Sequence, residues 1–177
     1  EVLDYFSKEI ELKKETLYNC KMVQAQDGVS VESDTLGALL YPLEGDTFAL
    51  DMVIKPERYH EFGIALHVDK ELETGYFLRM NPKNQLVAWD MWPRGEQGRY
   101  QWQIKGDVPY QIETARKLPK AEEYRVHIIK EKDICVVYIN DEIVLSTRMY
   151  NHKDGYAGIY VVQGDVKLIQ YKEKRSE

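Results

Sequence analysis

The chain has 177 residues, 44% of them hydrophobic, which is enough for one well-buried domain and too apolar for a disordered polymer. Lys and Arg number 24 against 30 Asp and Glu, a net charge of -6, so there is no cationic field for a phosphate backbone and nucleic acid is not an expected partner. The longest apolar runs, such as Ile134 to Ile139, fall far short of the roughly 20 residues that span a bilayer, and no membrane partner is expected either.

Read in chain order, the sequence is a succession of strands. No targeting segment is visible, and the chain opens on Glu1 rather than Met, as a mature form or a fragment of a longer polypeptide would. Ser7 to Lys14 could make a helical turn or two. Strand-like runs follow at Leu17 to Val23 and Gly37 to Tyr41. Apolar residues then recur with period two through Phe48, Leu50, Met52 and Ile54, and through Phe62, Ile64, Leu66 and Val68, the pattern of half-buried antiparallel strands. Further runs are Tyr76 to Met80, Leu86 to Met91, Tyr110 to Thr114, Tyr124 to Ile129, Ile134 to Ile139, Ile143 to Met149, Gly158 to Val162 and Val166 to Tyr171. Turn residues separate them at Gly28, Gly45, Asp69 to Gly75, Asn81 to Asn84, Asn140-Asp141, Asp154-Gly155 and Gly164-Asp165.

About twelve short strands without long helical stretches predict an all-β fold, a two-sheet antiparallel β-sandwich of concanavalin-like jelly-roll type. Each sheet is expected to hold about five to seven strands. No repeat, low-complexity segment or linker divides the chain, so residues 1–177 read as one sandwich domain, with a charged tail from Lys172 to Glu177 that is expected to fray.

Two cysteines cannot make a disulfide framework, and Cys20 and Cys135 sit among alternating apolar residues as small buried hydrophobes would. The histidines, His60, His67, His127 and His152, lack Cys or His neighbours at zinc-ligand spacing, so no transition-metal site is expected. Sandwich modules often hold a structural calcium ion with Asp and carbonyl oxygens, which leaves calcium open, but no loop shows a recognisable calcium spacing and neither a cofactor nor a metal is assigned.

The stretch from Trp89 to Tyr110 stands apart. It holds all three tryptophans, Trp89, Trp92 and Trp102, with Tyr100, Arg94, Arg99 and Asp107. Trp89 and Trp102 read as core anchors, because large aromatics dominate sandwich cores. Trp92 is followed by Pro93-Arg94-Gly95, which ends its strand and lifts the indole to a rim.

Side-chain parity indicates what could converge near that rim. Leu86, Ala88, Asp90 and Trp92 share one face of their strand, Phe77, Arg79 and Asn81 share one of theirs, and Gln111 and Glu113 share a third. Arg79, Asp90 and Glu113 are thus charges inside strands, each needing solvent or a partner. One reading is a solvated face or an Arg-Asp pair across neighbouring strands. The other is a polar cup capped by Trp92: sugars present C-H patches that pack on aromatic faces and hydroxyls that pair with carboxylates, Arg and amides. The candidate sugar-binding residues are Glu73, Arg79, Asp90, Trp92, Arg94, Gln111 and Glu113.

The runs Glu73-Thr-Gly-Tyr-Phe-Leu-Arg-Met-Asn-Pro, Leu86-Val-Ala-Trp-Asp-Met-Trp-Pro-Arg-Gly, Gly106-Asp-Val-Pro-Tyr-Gln-Ile-Glu and Leu145-Ser-Thr-Arg-Met-Tyr resemble the C-terminal β-sandwich of glycoside hydrolase family thirty-two, the β-fructosidases: invertases, levanases and inulinases. The resemblance runs from Thr47 to Tyr171, while the first forty or so residues match only as a generic sandwich start. In that family a propeller carries catalysis, and in some members the sandwich is a fructan-binding module. The resemblance therefore implies a non-catalytic carbohydrate-binding module for the terminal fructose of levan or inulin, joined to a catalytic glycoside hydrolase domain of the same polypeptide. It would be extracellular or at the cell surface if the parent acts on polymer, and cytoplasmic if on short oligosaccharides. The family's catalytic Asn-Asp-Pro, Arg-Asp-Pro and Glu-Cys runs are absent, so the chain alone is expected not to be an enzyme. Two other readings remain open: an accessory sandwich that packs on a propeller and binds nothing, and a concanavalin-like hydrolase with two facing carboxylates.

Overall fold

A computed structural model describes residues 5–92 and 110–176 of the chain. In order these form β1 (Lys8–Glu9), β2 (Thr16–Tyr18), β3 (Lys21–Ala25), β4 (Gly28–Pro42), β5 (Thr47–Arg58), β6 (Glu61–Val68), β7 (Gly75–Asn81), a 3-10 turn at Pro82–Asn84, β8 (Leu86–Trp92), β9 (Tyr110–Gln111), β10 (Tyr124–Glu131), β11 (Ile134–Ile139), β12 (Ile143–Arg148) and β13 (Tyr156–Arg175). Every pairing among these strands is antiparallel. The protein is therefore all-β, a curled antiparallel sheet of the jelly-roll kind. Among the described residues no helix is long and apolar enough to cross a membrane.

The two separate sheets expected from sequence are joined by hydrogen bonds into one. The order β12-β11-β10-β5-β13-β6-β7-β8-β9 is continuous, with β4 on β13 and β2 and β3 on β4. The cause is β13, whose 20 residues read in the sequence as two runs with a turn between them. It pairs with β4 from Tyr156 to Leu168, with β6 as far as Val162 and with β5 from Asp165 on, and its end also meets β1. What looked like a turn at Gly164-Asp165 is a bulge: the register shifts between Val162 and Gly164, and Gln163 takes a left-handed φ of 50°. Glycine is required there, because a Cβ on Gly164 would lie 1.8 Å from the Arg58 carbonyl oxygen.

The two halves then fold over a common core. Phe48, Leu50, Met52, Ile54, Val126, Ile128, Val137 and Ile139 face Phe62, Ile64, Leu66, Leu78, Met80 and Trp89 in one buried cluster. Phe62 of β6 meets Tyr124 of β10 across this core with ring centroids 6.0 Å apart, although the two strands are not neighbours in the sheet. Trp89 is the core anchor expected of it, fully buried. Trp102 lies outside the described residues. Cys135 is buried in the core, and Cys20 is half-buried with its thiol on the Ala38 carbonyl oxygen; both are free.

Two expectations are corrected. Ser7 to Lys14 contains the short strand β1, with Lys8 opposite Arg175, because the end of β13 offers a free edge that a helical turn would leave unpaired. For the same reason Lys172 to Arg175 do not fray. They remain in β13 opposite β5 and β1, and the Arg175 guanidinium donates to the carbonyl oxygens of Thr47 and Glu44.

Two polar groups sit on the core side at a cost. Lys130 is fully buried on β10, its Nζ donating to the Lys132 carbonyl oxygen, and burial pushes its ammonium below the ordinary lysine value. Lys130→Met is expected to raise stability by about 1–2 kcal/mol at neutral pH, read as a Tm higher by a few degrees; an unchanged or lower Tm would show that the buried ammonium is compensated. His67 is also buried, with Nδ1 at 2.8 Å from the Asp154 carbonyl oxygen. Since a carbonyl only accepts, Nδ1 carries the proton, and burial holds the ring's pKa down at about 4. A histidine depressed in the folded state supports folding fully above its unfolded value near 6.5 and withdraws that support as pH falls toward 4. Denaturant titrations should show stability falling by roughly 2–3 kcal/mol across that window, and His67→Gln should flatten the slope.

Candidate functional site

The face of β4, β13, β6, β7, β8 and β9 turned away from the core carries the candidate site. Its geometry follows from cross-strand register. One row runs Ala38, Tyr160, Gly63, Arg79, Ala88, and the next runs Leu40, Gly158, Ala65, Phe77, Asp90, Gln111. Small residues alternate with large ones, so the floor is low where Gly63, Ala65, Ala88 and Gly158 lie and the larger side chains stand over it. Gly63 has no room for a side chain, since a Cβ would lie 1.9 Å from the Leu78 carbonyl oxygen and 2.8 Å from the Tyr160 ring. The ring of Tyr160 stands edge-to-face on Phe77 with centroids 5.7 Å apart.

These rows bound an open concavity of about 680 Å³ lined by Leu36, Glu61, Leu72, Phe77, Arg79, Asp90, Trp92, Gln111, Tyr160 and Val162. At its base one cation serves two anions. Arg79 Nε lies 3.4 Å from Asp90 Oδ2 and 3.7 Å from Glu61 Oε1, at ion-pair rather than hydrogen-bond range, and among the described residues it has no hydrogen-bond partner. The side chains are partly withdrawn from solvent, with exposures of 34% for Arg79, 26% for Glu61 and 14% for Asp90.

Burial lifts the carboxyl of Asp90 above its ordinary range, with Arg79 opposing the rise. Glu61 is lifted by burial too, against the pull of Arg79 and with a push from Asp90. The phenol of Tyr160 is driven well above its ordinary value by burial and then by the two carboxylates. With one positive and two negative charges, the cluster offers N–H donors and carboxylate acceptors side by side in a concavity that the half-buried Trp92 also lines.

Of the residues named from sequence, Arg79, Asp90, Trp92 and Gln111 are brought together here. Glu73 and Glu113 are not on the lining. Glu73 is exposed in the turn before β7, where its N–H and that of Thr74 donate to Asp69 Oδ1, and the turn carries it past the strand end. Glu113 lies beyond the end of β9, so the parity of a continued strand does not apply, and its carboxylate accepts from the Thr114 N–H instead. Arg94 lies outside the described residues.

Glu61, Tyr160 and Phe77 were not among the named candidates. Their signal was parity: with Phe62, Ile64 and Leu66 in the core, Glu61, Gly63 and Ala65 had to share the other face, as Tyr160 had to oppose Ile159 and Val161. Among the described residues no group of three or more His, Cys, Asp or Glu side chains is placed to hold a metal ion.

No protein-family model matches the chain, and no curated protein sequence does either. Solved structures do match in fold. The carbohydrate binding module CBM66 from Bacillus subtilis superposes with a TM-score of 0.75 at 17% identity, covering 92% of this chain and 96% of that one. The exoplasmic/lumenal domain of VIP36, in a form bound to Ca2+ and Man3GlcNAc, gives 0.62 at 12% identity over 94% of this chain and 91% of its own. Domain 4 of AbnA, an extracellular arabinanase from Geobacillus stearothermophilus in complex with arabinotriose, gives 0.54 at 11% identity over 93% and 84%. At these identities the likeness is one of fold.

The charge arrangement makes a prediction about stability. A carboxyl whose pKa is raised in the folded state binds its proton more tightly there than in the unfolded chain, so it favours folding at low pH and withdraws that contribution as pH climbs through the raised value. Arg79 limits this loss for both Glu61 and Asp90. Arg79→Met should therefore cost about 1–2 kcal/mol at pH 7, a figure kept low by partial exposure, and the difference from the parent should close as both carboxyls protonate in acid. Equal unfolding midpoints at pH 7 would show that solvent already carries the two anions.

Proposed function

We propose that this protein is a non-catalytic carbohydrate-binding module that takes the terminal fructose of a fructan, levan or inulin, in the concavity over Arg79, and so holds an attached glycoside hydrolase to its polymer. The observation that carries this reading is the placement of Arg79 between Glu61 and Asp90 on a floor of small residues beside Trp92. A sugar hydroxyl is at once donor and acceptor, and adjacent N–H and carboxylate groups meet both roles of a neighbouring pair of hydroxyls. Trp92 stacks on the ring's C-H face, Arg79 donates, Asp90 and Glu61 accept, and Gln111 closes the rim; Arg94, two residues after Trp92, is a further donor in this proposal. The fold likeness to a carbohydrate binding module and to the VIP36 domain in its Man3GlcNAc-bound form supports the sugar class. The choice of fructose rests on the sequence resemblance to β-fructosidase sandwiches. In the same reading the curled sheet is a two-sheet concanavalin-like sandwich with β13 as the strand common to both layers.

Calorimetry against levan, inulin, arabinan and xylan tests this proposal. Binding is expected for levan or inulin and not for arabinan or xylan. Asp90→Ala and Trp92→Ala should each weaken it by roughly ten- to a hundredfold, the loss of about 1.5–3 kcal/mol for a charged partner in a hydrogen-bonded site, with Tm nearly unchanged. No binding to any of the four would leave Arg79, Glu61 and Asp90 as a structural ion cluster and the accessory-sandwich reading in place. Reducing-sugar assays with sucrose, levan and inulin should give no release above blank; release that vanishes in Asp90→Asn or Glu61→Gln would make the protein a hydrolase.

A further inference from the structure

Beyond the concavity over Arg79 the same sheet end carries a second one, of about 340 Å³, lined by Tyr59, His60, Asn81, Lys83, Asn84 and Gln163. The two are neighbours by covalent connection at three places in the chain, along β7, along β13 and at the start of β6. Glu61 lines the first and His60 the second; Arg79 lines the first and Asn81 the second; Val162 lines the first and Gln163 the second. Asn81 follows Arg79 on the same face of β7, about 7 Å farther along the strand, a step on the scale of one sugar residue.

The chemistry of the second concavity differs from that of the first. It holds no carboxylate, and its side-chain amides, imidazole and ammonium are groups that exchange hydrogen bonds with hydroxyls. Lys83 Nζ stands 4.5 Å from the centre of the Tyr59 ring and donates to the Tyr59 carbonyl oxygen at 2.6 Å, so this ring already has a cation over it and is not offered as a stacking platform. The backbone is shaped for the purpose by local features: Gln163 is the bulged residue of β13 with φ of 50°, and Asn81 Oδ1 accepts from the Asn84 N–H at 3.3 Å to close the Pro82–Asn84 turn. Among the described residues the Asn81 amide nitrogen makes no hydrogen bond. The bulge that lets β13 serve both halves of the sheet therefore also brings Gln163 to this rim.

We infer that this second concavity is an adjoining subsite that hydrogen-bonds the next saccharide unit of a chain whose end lies over Arg79, so that the site reads an oligosaccharide rather than a single sugar. The inference rests on the sugar-binding reading of the first concavity and deepens it. The ligand chain leaves the Trp92 side, passes Asn81 and runs toward the Pro82–Asn84 turn.

The test compares fructose, levanbiose, levantriose and the inulin-type trisaccharide kestose by calorimetry on the parent and on the double variant His60→Ala, Asn84→Ala. Both positions are exposed, and neither side chain holds another element in place. The parent should bind at least one of the longer sugars about tenfold more tightly than fructose, the gain of one or two added hydrogen bonds. The double variant should bind fructose as the parent does and lose that gain. Single Lys83→Ala and Asn81→Ala variants provide a second reading, each expected to lose part of the gain with the fructose affinity unchanged. Binding of fructose with no gain for any longer sugar in the parent, or a gain that survives in the double variant, overturns the second subsite and leaves the first intact. Absence of binding to fructose and to all three longer sugars overturns both.

Discussion

The structure depends on a single strand lying in two places at once. β13 stays on β4 from Tyr156 to Leu168 while its other partner changes from β6 along its first part to β5 along its last, and it can do so because a bulge at Gln163 and a glycine at 164 let its backbone pass close to the end of β5. A straight strand would have continued in one sheet and left the other half without an inner partner. The bend supplies the twist that brings Phe62 over Tyr124 and closes the core between the halves. Gly164 is thus a topological requirement: any side chain there meets the Arg58 carbonyl oxygen before it meets solvent.

The same register that closes the core also opens the candidate site. Every strand of this half alternates, so the choice of large apolar residues for the inner face leaves the outer face free to vary. On that face small residues occupy the rows where strands come closest to the ring of Tyr160, and the concavity is what remains above them. Half-burying two carboxylates there is unfavourable for folding taken alone, because desolvation lifts both carboxyls above their ordinary range, and Arg79 offsets part of that cost. Such clusters recur where a surface is kept ready for a ligand, which is why this one bears the functional reading.

In the proposed reading the two carboxylates share one cation, Arg79, and their work is to accept from hydroxyls while the guanidinium donates. The neighbouring concavity around Asn81 and Gln163 lacks acids altogether and extends that surface along β7 with neutral and cationic groups.

How much of this was legible beforehand divides along a physical line. Period-two alternation identified the strands from Thr16 to Arg148, with boundaries within a few residues, except that Leu17 to Val23 is divided between β2 and β3, β4 reaches back to Gly28 and Tyr110 to Thr114 shortens to β9; local propensity and side-chain parity act over neighbours in the chain. Parity likewise put Arg79, Asp90 and Trp92 on usable faces. What it could not supply was which strands lie side by side: Glu61 and Asp90 are 29 positions apart, and only the order β6-β7-β8 sets Arg79 between them. Nor could it show that two runs flanking Gly164 are one strand, because a turn and a bulge use the same residues and differ only in what the chain meets on its far side. The amino-acid sequence by itself therefore determined the elements and their inner faces. The tertiary structure decided the continuity of the sheet, the pairing of Lys8–Glu9 and of the charged tail, and the company that Arg79 keeps, since all of these depend on backbone hydrogen bonds between segments distant in the chain.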